Sequence, residues 1–292
     1  MNIQNKLKIN QSIRQKASLS CSNILKEVLQ SSSAISEINF KNKWQDELDK
    51  FTDIEEGGWY NPPPDGFGVL FGKESDIERL NYPSLRPQKY WPKDNLYFDN
   101  TGLGYLYASP YSIIECIPII GDFGFSCYLG KVAKIRVHFK KSFEVLNKLI
   151  ENIKAGISFK ELFRISSEII GRNDLQIYML SITDKAEISI GHTIPFITKD
   201  PNPKQQKDIN SANPQAIHNI ISRSRKFISS QEKYIISNNC AFTFEPRFIS
   251  SKNSSLPMFS FHTTIQFVSG KKVVLSNMDK IINLLEMEWI YV

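Results

Sequence analysis

The residues of this chain that could do chemistry are few and widely spaced. Of its four histidines, His192 and His262 lie in strand-like surroundings, and two acidic residues, Asp122 and Glu245, border strand-like segments. Imidazole and carboxylate groups can bind a divalent metal such as Zn, Fe or Mn. Imidazole can also transfer protons near neutral pH, because its pKa lies there. The set therefore fits either a metal site or metal-free acid/base chemistry.

The elements that must position these side chains alternate between helices and strands. Apolar spacing predicts helices at 10–30, 39–51, 143–154 and 159–170, and strands at 67–71, 104–108, 113–120, 124–128, 133–139, 241–244, 259–268 and 272–275. Ser158, with Glu161 three residues later, predicts a capping box at the start of the last helix. Both halves thus share an order of two helices followed by strands. This order predicts an α+β fold, with helices on one face of a curved antiparallel sheet and a pseudo-two-fold internal duplication.

Three irregular segments are expected near a site or at the surface. The connection 73–95 is long and rich in Pro, Tyr and Arg, and such connections often line a site. Residues 59–66 and 82–86 could place aromatic and guanidinium groups at a pocket mouth, or could be ordinary loop packing. The polar segment 199–216 holds three prolines and is predicted to be a mobile insertion or lid.

Composition narrows the class of protein. The four cysteines form no CxxC pair, which argues against a zinc ribbon or a disulfide scaffold. No apolar run approaches the length of a membrane helix, and the start of the chain lacks a signal-peptide core, so a cytoplasmic location is predicted. The net charge of +6 is spread along the chain, and no nucleic-acid or membrane partner is expected. A single domain over 1–292 is predicted.

Five segments in order resemble the pita-bread superfamily of creatinase, methionine aminopeptidase and Xaa-Pro peptidase. The segments are Asp122-Phe123-Gly124 with Tyr128, Gly130 and 135–139; Lys154-Ala155-Gly156-Ile157-Ser158 with Glu161-Leu162; Gly191-His192-Thr193-Ile194; Phe242-Thr243-Phe244-Glu245-Pro246; and Thr264-Ile265-Gln266-Phe267 with Gly270. They resemble the family's "DLG" hairpin, "KPG-x-T-x-x-EL" helix entry, "GHGIG", "FTIEPG" and closing strand. The resemblance implies a pita-bread fold over the matched chain.

The resemblance also implies a site that departs from the family's two-metal centre. In the metallopeptidases two Asp, one His and two Glu hold two metals, and the first Asp, the His and the first Glu fall on Asp122, His192 and Glu245. The second Asp falls on Lys134, or on Ala133 in an alignment without a gap. The final Glu falls on His262. Two auxiliary family histidines are absent, one of them near Gly104 or Tyr105 and the other at Lys199. A standard dinuclear peptidase centre is therefore not expected.

Three interpretations of this remodelled site stay open. The first is a single Zn, Fe or Mn ion held by ligands drawn from Asp122, His138, His192, Glu245 and His262. The second is metal-free acid/base chemistry, for which creatinase is a precedent in the family, with catalytic His192, His262 and Glu245. The third is a catalytically inactive, peptidase-like protein that binds a peptide or a protein.

For an enzyme, the expected substrate is a small, polar, amino-acid-like molecule. It would be hydrolysed, or cleaved at a related C–N or C–X bond. Lys134 and Arg136 could bind its carboxylate, with a solvated strand face as the alternative. Arg247 could reach the cavity or pair at the surface. A homodimer is expected only by analogy with the family.

Overall fold

The computed structural model describes residues 1–178 and 186–291 of the chain. Seven α-helices lie in these residues: α1 (Ile3–Gln30), α2 (Glu37–Asp49), α3 (Ala133–Asn152), α4 (Phe159–Arg172), α5 (Pro203–Asn210), α6 (Pro214–Ser224) and α7 (Asp279–Leu284). Twelve strands accompany them: β1 (Phe67–Phe71), β2 (Gly104–Ala108), β3 (Tyr111–Ile114), β4 (Ile117–Ile120), β5 (Phe123–Cys127), β6 (Leu175–Ile177), β7 (Gly191–Thr193), β8 (Cys240–Phe244), β9 (Arg247–Ser250), β10 (Phe259–Ser260), β11 (Thr263–Val268) and β12 (Lys271–Leu275). None of the helices described is both long enough and apolar enough to cross a membrane.

The strands form three sheets and one hairpin. The orders of the sheets are β1-β2-β5, β12-β11-β8-β7 and β10-β9-β6, and β3 pairs with β4 as the hairpin. Each of these ladders is antiparallel. The predicted α+β class with antiparallel sheets is therefore confirmed.

Helix pairs precede both groups of strands, as the sequence predicted. Helices α1 and α2 come before β1 to β5, and α3 and α4 come before β6 to β12. Trp44 of α2 is fully buried and meets Phe67 of β1 and Phe123 of β5 edge to face. Burial of each such aromatic side chain stabilises the fold by roughly 1.5–3 kcal/mol. This packing fixes the position at which β5 begins.

A buried carboxylate ties helix α2 to the long irregular connection 73–95. Glu37 is fully buried and accepts hydrogen bonds from the backbone N–H of Phe71 at 2.6 Å and of Lys93 at 2.9 Å. Arg79 adds an ion pair at 2.7 Å. Because a buried charge is costly unless it is paired and hydrogen-bonded, this network holds the connection in place.

The predicted strand at 133–139 is wrong, because these residues begin helix α3. The short alternation of Ile135, Val137 and Phe139 has the period of a strand, but Val137 is 65% exposed while Ile135 and Phe139 are buried. Over the whole element the buried side chains recur every three or four residues, and they are Ile135, His138, Phe139, Ser142, Val145, Leu146 and Leu149. The helical pattern extends over 20 residues, whereas the two-residue alternation extends over only seven. The longer pattern therefore determines the structure of this segment.

Smaller differences concern three other segments. The apolar run 113–120 is two strands, because Glu115 and Cys116 take positive φ values in the turn between β3 and β4. The run 259–268 is likewise divided into β10 and β11. Much of the polar segment 199–216 is helical, in α5 and the start of α6. The mobility of that segment and the single-domain organisation stay predictions.

Candidate active site

Four ligand-type side chains converge from separate elements. Asp122 directly precedes β5, His192 is in β7, Glu245 follows β8, and His262 precedes β11. Nε2 of His192 lies 3.5 Å from Oδ2 of Asp122 and 3.6 Å from Oε1 of Glu245. Nε2 of His262 lies 3.2 Å from Oε2 of Glu245. The structure thus brings together the four residues that the motifs singled out.

A glycine before His192 permits the close pairing of β7 and β8. Gly191 has φ +147, and a Cβ at this position would lie 2.0 Å from the carbonyl oxygen of Thr243. Only glycine fits such an approach of two backbones. The register pairs His192 with Thr243, two residues before Glu245. This pairing places the imidazole next to the end of β8.

Arg14 of helix α1 fixes the backbone beneath the other two residues. It is fully buried, and its guanidinium donates to the carbonyl oxygens of Asp122 and His262. It also donates to the carbonyl of Leu275 at 2.9 Å and to that of Ser276 at 2.7 Å. Burial lowers the pKa of Arg14 to about 9, which still leaves it charged near neutral pH. One guanidinium therefore joins helix α1 to both halves of the site.

Two aromatic side chains hold the carboxyl of Asp122. Nε1 of Trp59 donates to Oδ1 at 2.8 Å, and the hydroxyl of Tyr107 donates to the same oxygen at 3.2 Å. Burial raises the pKa of Asp122 to about 6, and these hydrogen bonds oppose that rise. Among residues 1–178 and 186–291, Oδ2 has no hydrogen-bond partner, and it faces His192. Asp122 is thus fixed by one oxygen and presents the other to the site.

Both imidazoles are kept neutral. Burial lowers the pKa of His192 and of His262 well below the ordinary value, and nearby guanidinium groups lower it further. Nδ1 of His192 lies 3.0 Å from the carbonyl oxygen of Thr193, which can only accept a hydrogen bond. Nδ1 of a neutral His192 therefore carries the proton, and Nε2 presents its lone pair to Asp122 and Glu245.

His262 has a different second partner. The hydroxyl of Tyr105 lies 2.7 Å from its Nε2, beside the oxygen of Glu245. Nδ1 of His262 has no hydrogen-bond partner in the part of the chain that the structure describes. Burial raises the pKa of Tyr105 to about 12, so that its hydroxyl keeps its proton at neutral pH. Nε2 of His262 is therefore contacted by a hydroxyl and a carboxyl group together.

The carboxyl of Glu245 lies in an environment that suits proton transfer. Burial raises its pKa to about 7, and the charge of Asp122 adds to the rise, while Arg247 and Arg225 oppose it. Both of its oxygens face imidazole nitrogens. A carboxyl group with this pKa exchanges its proton near neutral pH, as a general acid or base must.

Guanidinium groups stack on aromatic rings around the cluster. The guanidinium of Arg225 lies 4.7 Å from the rings of Trp59 and Phe227. That of Arg247 lies 4.7 Å from the ring of Tyr82. Such cation–π contacts hold the flat cations in fixed planes.

Residues of the segments 59–66 and 82–86 contact the cluster or the arginines beside it, and their position at a pocket mouth stays a prediction. Trp59 reaches Asp122, Tyr82 lies against Arg247, and Arg86 lies 4.6 Å from the ring of Tyr60. Arg225 was not predicted from the sequence, where its only local signal is the nearby aromatic residue Phe227.

Solved structures of other proteins share this arrangement of elements. An X-Pro aminopeptidase from Thermotoga maritima matches with a TM-score of 0.59 and 11% identity, over 94% of this chain and 61% of that one. A methionine aminopeptidase from the same organism matches with a TM-score of 0.56 and 10% identity, over 91% of this chain and 96% of that one. The chain has the pita-bread fold.

A third solved structure that matches is the N-terminal domain of the FACT complex subunit SPT16 from Eremothecium gossypii. Its TM-score is 0.61 at 12% identity, over 97% of this chain and 59% of that one. The chain therefore spans about three fifths of the X-Pro aminopeptidase and of the SPT16 structure. No protein-family model and no curated protein matches the sequence.

The positions that the resemblance implies for the second metal-binding Asp lie outside the sheets. Both of them, Ala133 and Lys134, lie in the first turn of α3 and are exposed. The uncertainty between the two alignments therefore has no consequence, because neither side chain lies on a strand of the sheet.

Three site residues that were predicted on a strand at 133–139 lie away from the cluster. Lys134 is exposed on α3, and Arg136 donates to the carbonyl of Gly130 at 2.8 Å and stacks on Trp289. Nε2 of His138 lies 3.0 Å from the carbonyl oxygen of Pro257. None of them contacts the cluster of Asp122, His192, Glu245 and His262 in the described parts of the chain. The structure therefore does not support substrate-binding roles for Lys134 and Arg136 or a ligand role for His138.

The side chains around the cluster, as placed, do not fit a metal ion. Within residues 1–178 and 186–291, no group of three or more His, Cys, Asp or Glu side chains is arranged to hold one. Two of the atoms that would bind a metal already have other partners. Oδ1 of Asp122 accepts hydrogen bonds from Trp59 and Tyr107, and Nε2 of His262 contacts the hydroxyl of Tyr105. Buried guanidinium groups supply positive charge instead.

Proposed function

We propose that this protein is an enzyme that acts on a small, zwitterionic, amino-acid-like molecule by acid/base chemistry without a metal. The reaction is hydrolysis or a related cleavage of a C–N or C–X bond. The observation that carries the proposal is the position of the Glu245 carboxyl between Nε2 of His192 and Nε2 of His262, at 3.6 and 3.2 Å.

The three side chains have complementary proton states. His192 presents an unprotonated Nε2, because its Nδ1 is bound to the carbonyl of Thr193. Glu245 gains and loses a proton near neutral pH. In the proposed reaction Nε2 of His192 accepts a proton from a water or a substrate group, and Glu245 gives one to the departing nitrogen. General acid–base catalysis of this kind contributes typically 10²–10⁴-fold to a rate.

The charges around Glu245 support a substrate that carries both signs. The guanidinium of Arg247 is buried and influences Glu245, yet the two groups form no ion pair in the described chain, and Nε of Arg247 has no hydrogen-bond partner. Asp122 likewise presents an oxygen that no described residue hydrogen-bonds. In the proposed complex the substrate carboxylate binds Arg247, and its amino group binds Asp122 or Glu245.

A second candidate function is binding of a peptide or a protein without catalysis. Two observations favour it. The side chains of the cluster are nearly closed to solvent, with His262 fully buried and Glu245 only 6% exposed. In addition, the SPT16 domain matches this chain with a TM-score at least as high as those of the two peptidases reported above. In this case the polar cluster would be a buried network that stabilises a binding surface.

The experiment that separates the two functions is a substrate screen in the presence of a chelator. Purified protein is incubated with a panel of dipeptides, N-acyl amino acids and N-carbamoyl or amidino amino acids, and their consumption is followed by mass spectrometry. The proposal expects turnover of at least one compound class by the wild type but not by Glu245→Gln. No turnover of any compound, together with binding of unmodified peptides, would favour the binding function.

The cytoplasmic location, the absence of nucleic-acid and membrane partners, and a homodimer remain proposals from the sequence.

A further inference from the structure

A second cavity lies apart from the candidate active site. Residues of strand β3, helices α5 and α6 and the segment 55–65 line a volume of about 550 Å³, which we call the β3–α6 cavity. In the described chain, none of the four residues of the active-site cluster lines it. Its edge includes the exposed residues Glu56 and Pro214, and its inner wall is formed by buried residues, which are Gly58, Tyr111, Ile209, Ile217 and His218. The volume is within the range of small-molecule sites.

Two polar side chains of the inner wall have no hydrogen-bond partner among the residues that the structure describes. They are the hydroxyl of Tyr111, which is 3% exposed, and the imidazole of His218, which is 9% exposed. Their rings meet edge to face at 5.9 Å. Their polar atoms are not sealed within the core, so the space open to them is the cavity. Since polar groups of buried residues are normally hydrogen-bonded, two unpaired groups in one cavity indicate that a ligand supplies the partner.

The same cavity is lined by three carboxyl groups and, among the described residues, by no Lys or Arg. The carboxyl groups are those of Glu55, Glu56 and Asp65. Asp65 pairs with Lys41, whereas Glu55 and Glu56 form no ion pair within residues 1–178 and 186–291. The backbone N–H of Glu55 donates to the carbonyl oxygen of Tyr111 at 2.9 Å, which holds Glu55 next to the inner wall. In a chain of net charge +6, a cavity with this lining selects a cation.

The unpaired groups can accept hydrogen bonds from such a cation. Burial lowers the pKa of His218, so that its imidazole is neutral near neutral pH and one ring nitrogen has a lone pair. Burial and the negative charge of Glu55 raise the pKa of Tyr111 to about 12, so that its hydroxyl stays neutral and can also accept. A primary ammonium group offers three N–H donors and one positive charge. An apolar chain attached to it would contact the buried side chains of Ile209 and Ile217.

We propose that the β3–α6 cavity binds a primary ammonium group on a short apolar chain, and that Glu55, Tyr111 and His218 accept its three N–H groups. The ammonium group belongs either to a small alkylamine or to the lysine side chain of a peptide. A metal ion is not proposed, because the described residues include no group of three or more His, Cys, Asp or Glu side chains arranged to hold one. The proposal does not depend on a reaction at Glu245.

The first test is binding to the wild type by titration with saturation-transfer NMR. The ammonium probes are pentylamine and an N-acetylated peptide with a single lysine. Three matched probes each lack one feature: pentanol has no charge, pentyltrimethylammonium has no N–H donor, and the second peptide has norleucine in place of lysine. At least one ammonium probe is expected to bind saturably, and its matched probes at least tenfold more weakly. Binding of pentylamine indicates a small amine as the ligand, and binding of the lysine peptide alone indicates a peptide.

The second test compares variants that each remove one acceptor. Glu55→Gln, Tyr111→Phe and His218→Phe keep the approximate size of the side chain, and each is expected to weaken binding of the ammonium probe about tenfold or more. Glu144→Gln and Tyr97→Phe are the matched controls, because both residues are exposed and neither lines the cavity. They should bind as the wild type does. Thermal melts show whether each variant is folded.

Three results would overturn the proposal. The first is no saturable binding of either ammonium probe to the wild type, and the second is equal binding of pentylamine and pentanol. The third is binding that Glu245→Gln abolishes and Glu55→Gln leaves unchanged, which would place the amine at the active-site cluster. If Tyr111→Phe does not fold, Glu55→Gln and the matched probes on the wild type decide. Since every readout is binding, a protein without enzymatic activity can still pass this test, and an active one can fail it.

Discussion

The carboxyl of Glu245 lies 3.2 Å from Nε2 of His262, and its other oxygen lies 3.6 Å from Nε2 of His192. His192 lies in β7 and His262 directly precedes β11, far apart in sequence, and Glu245 follows the strand β8 that pairs with both β7 and β11. One carboxyl group at the end of a central strand thus connects the two imidazoles. This relationship is the basis of the predictions about activity and pH.

Glu245→Gln should abolish turnover without unfolding the protein. Glutamine keeps the shape of the side chain but cannot take up or release a proton in the working range. We expect a loss of about 100-fold or more in kcat/KM for whichever compound the wild type converts. Glu144→Gln, on the exposed face of α3, is the control and should retain wild-type activity. Equal activity of Glu245→Gln and wild type would exclude Glu245 from proton transfer.

The stability of the wild type relative to Glu245→Gln should fall as the pH rises. Folding raises the pKa of Glu245 from 4.5 to about 7, so its contribution to stability is full below about pH 4.5 and is lost as the pH passes through about 7. Between pH 4.5 and pH 8 the difference in the free energy of unfolding should change by up to about 3 kcal/mol against the wild type. Urea unfolding at a series of pH values measures it.

Asp122 and both histidines are present in the two proteins of this comparison, so their own titrations largely cancel in the difference. Glu144→Gln should show no such pH-dependent difference from wild type. A wild-type advantage that stays constant from pH 4.5 to pH 8 would contradict the raised pKa of Glu245.

Ser158→Ala should weaken helix α4. Oγ of Ser158 accepts a hydrogen bond from the backbone N–H of Glu161 at 3.1 Å, which is the N-cap contact that the sequence predicted. Loss of such a cap costs about 1 kcal/mol in the free energy of unfolding. The control is Ser167→Ala, within the same helix, which should change stability by no more than about 0.5 kcal/mol. Urea unfolding that ranks the two variants in the opposite order would show that the cap is unimportant.

The sequence predicted the four residues of the site through the motifs that resemble the pita-bread superfamily. Gly191 before His192 and the strand that ends before Glu245 belong to two of these motifs, and the structure gives a physical reason for each, because close strand pairing and a buried strand both restrict the residue types. The same reasoning misplaced His138, because seven residues with alternating apolar side chains do not distinguish a strand from the first turns of a helix.

The residues that the sequence missed act over long distances along the chain. Arg14 binds carbonyl groups more than 100 residues away, and no local period reports such contacts. One signal was available, because Arg14 lies between Ile13 and Ala17 on the buried side of α1. A charged residue on the apolar side of a helix requires buried partners. On strand β2, Tyr105 and Tyr107 are two residues apart and therefore lie on the same face. Their hydroxyl groups likewise require hydrogen-bond partners on that face.

Arg14→Met should destabilise the protein and disturb the site at the same time. Methionine fills much of the volume, but it leaves the four carbonyl groups of Asp122, His262, Leu275 and Ser276 without this donor. Since a buried acceptor without a partner costs about 1–3 kcal/mol, we expect a loss of about 3 kcal/mol or more in the free energy of unfolding. Urea unfolding measures this loss.

Arg136→Met is the matched control for Arg14→Met. Arg136 binds a single carbonyl group and is only partly buried, so we expect a loss of no more than about 1 kcal/mol. Arg14→Lys retains the positive charge but presents a single nitrogen, which cannot serve four carbonyl groups in three separate segments of the chain. It should therefore recover only part of the lost stability. If Arg14→Met unfolds at the same urea concentration as Arg136→Met, the two halves of the site are held together by strand pairing alone, and Arg14 does not position them.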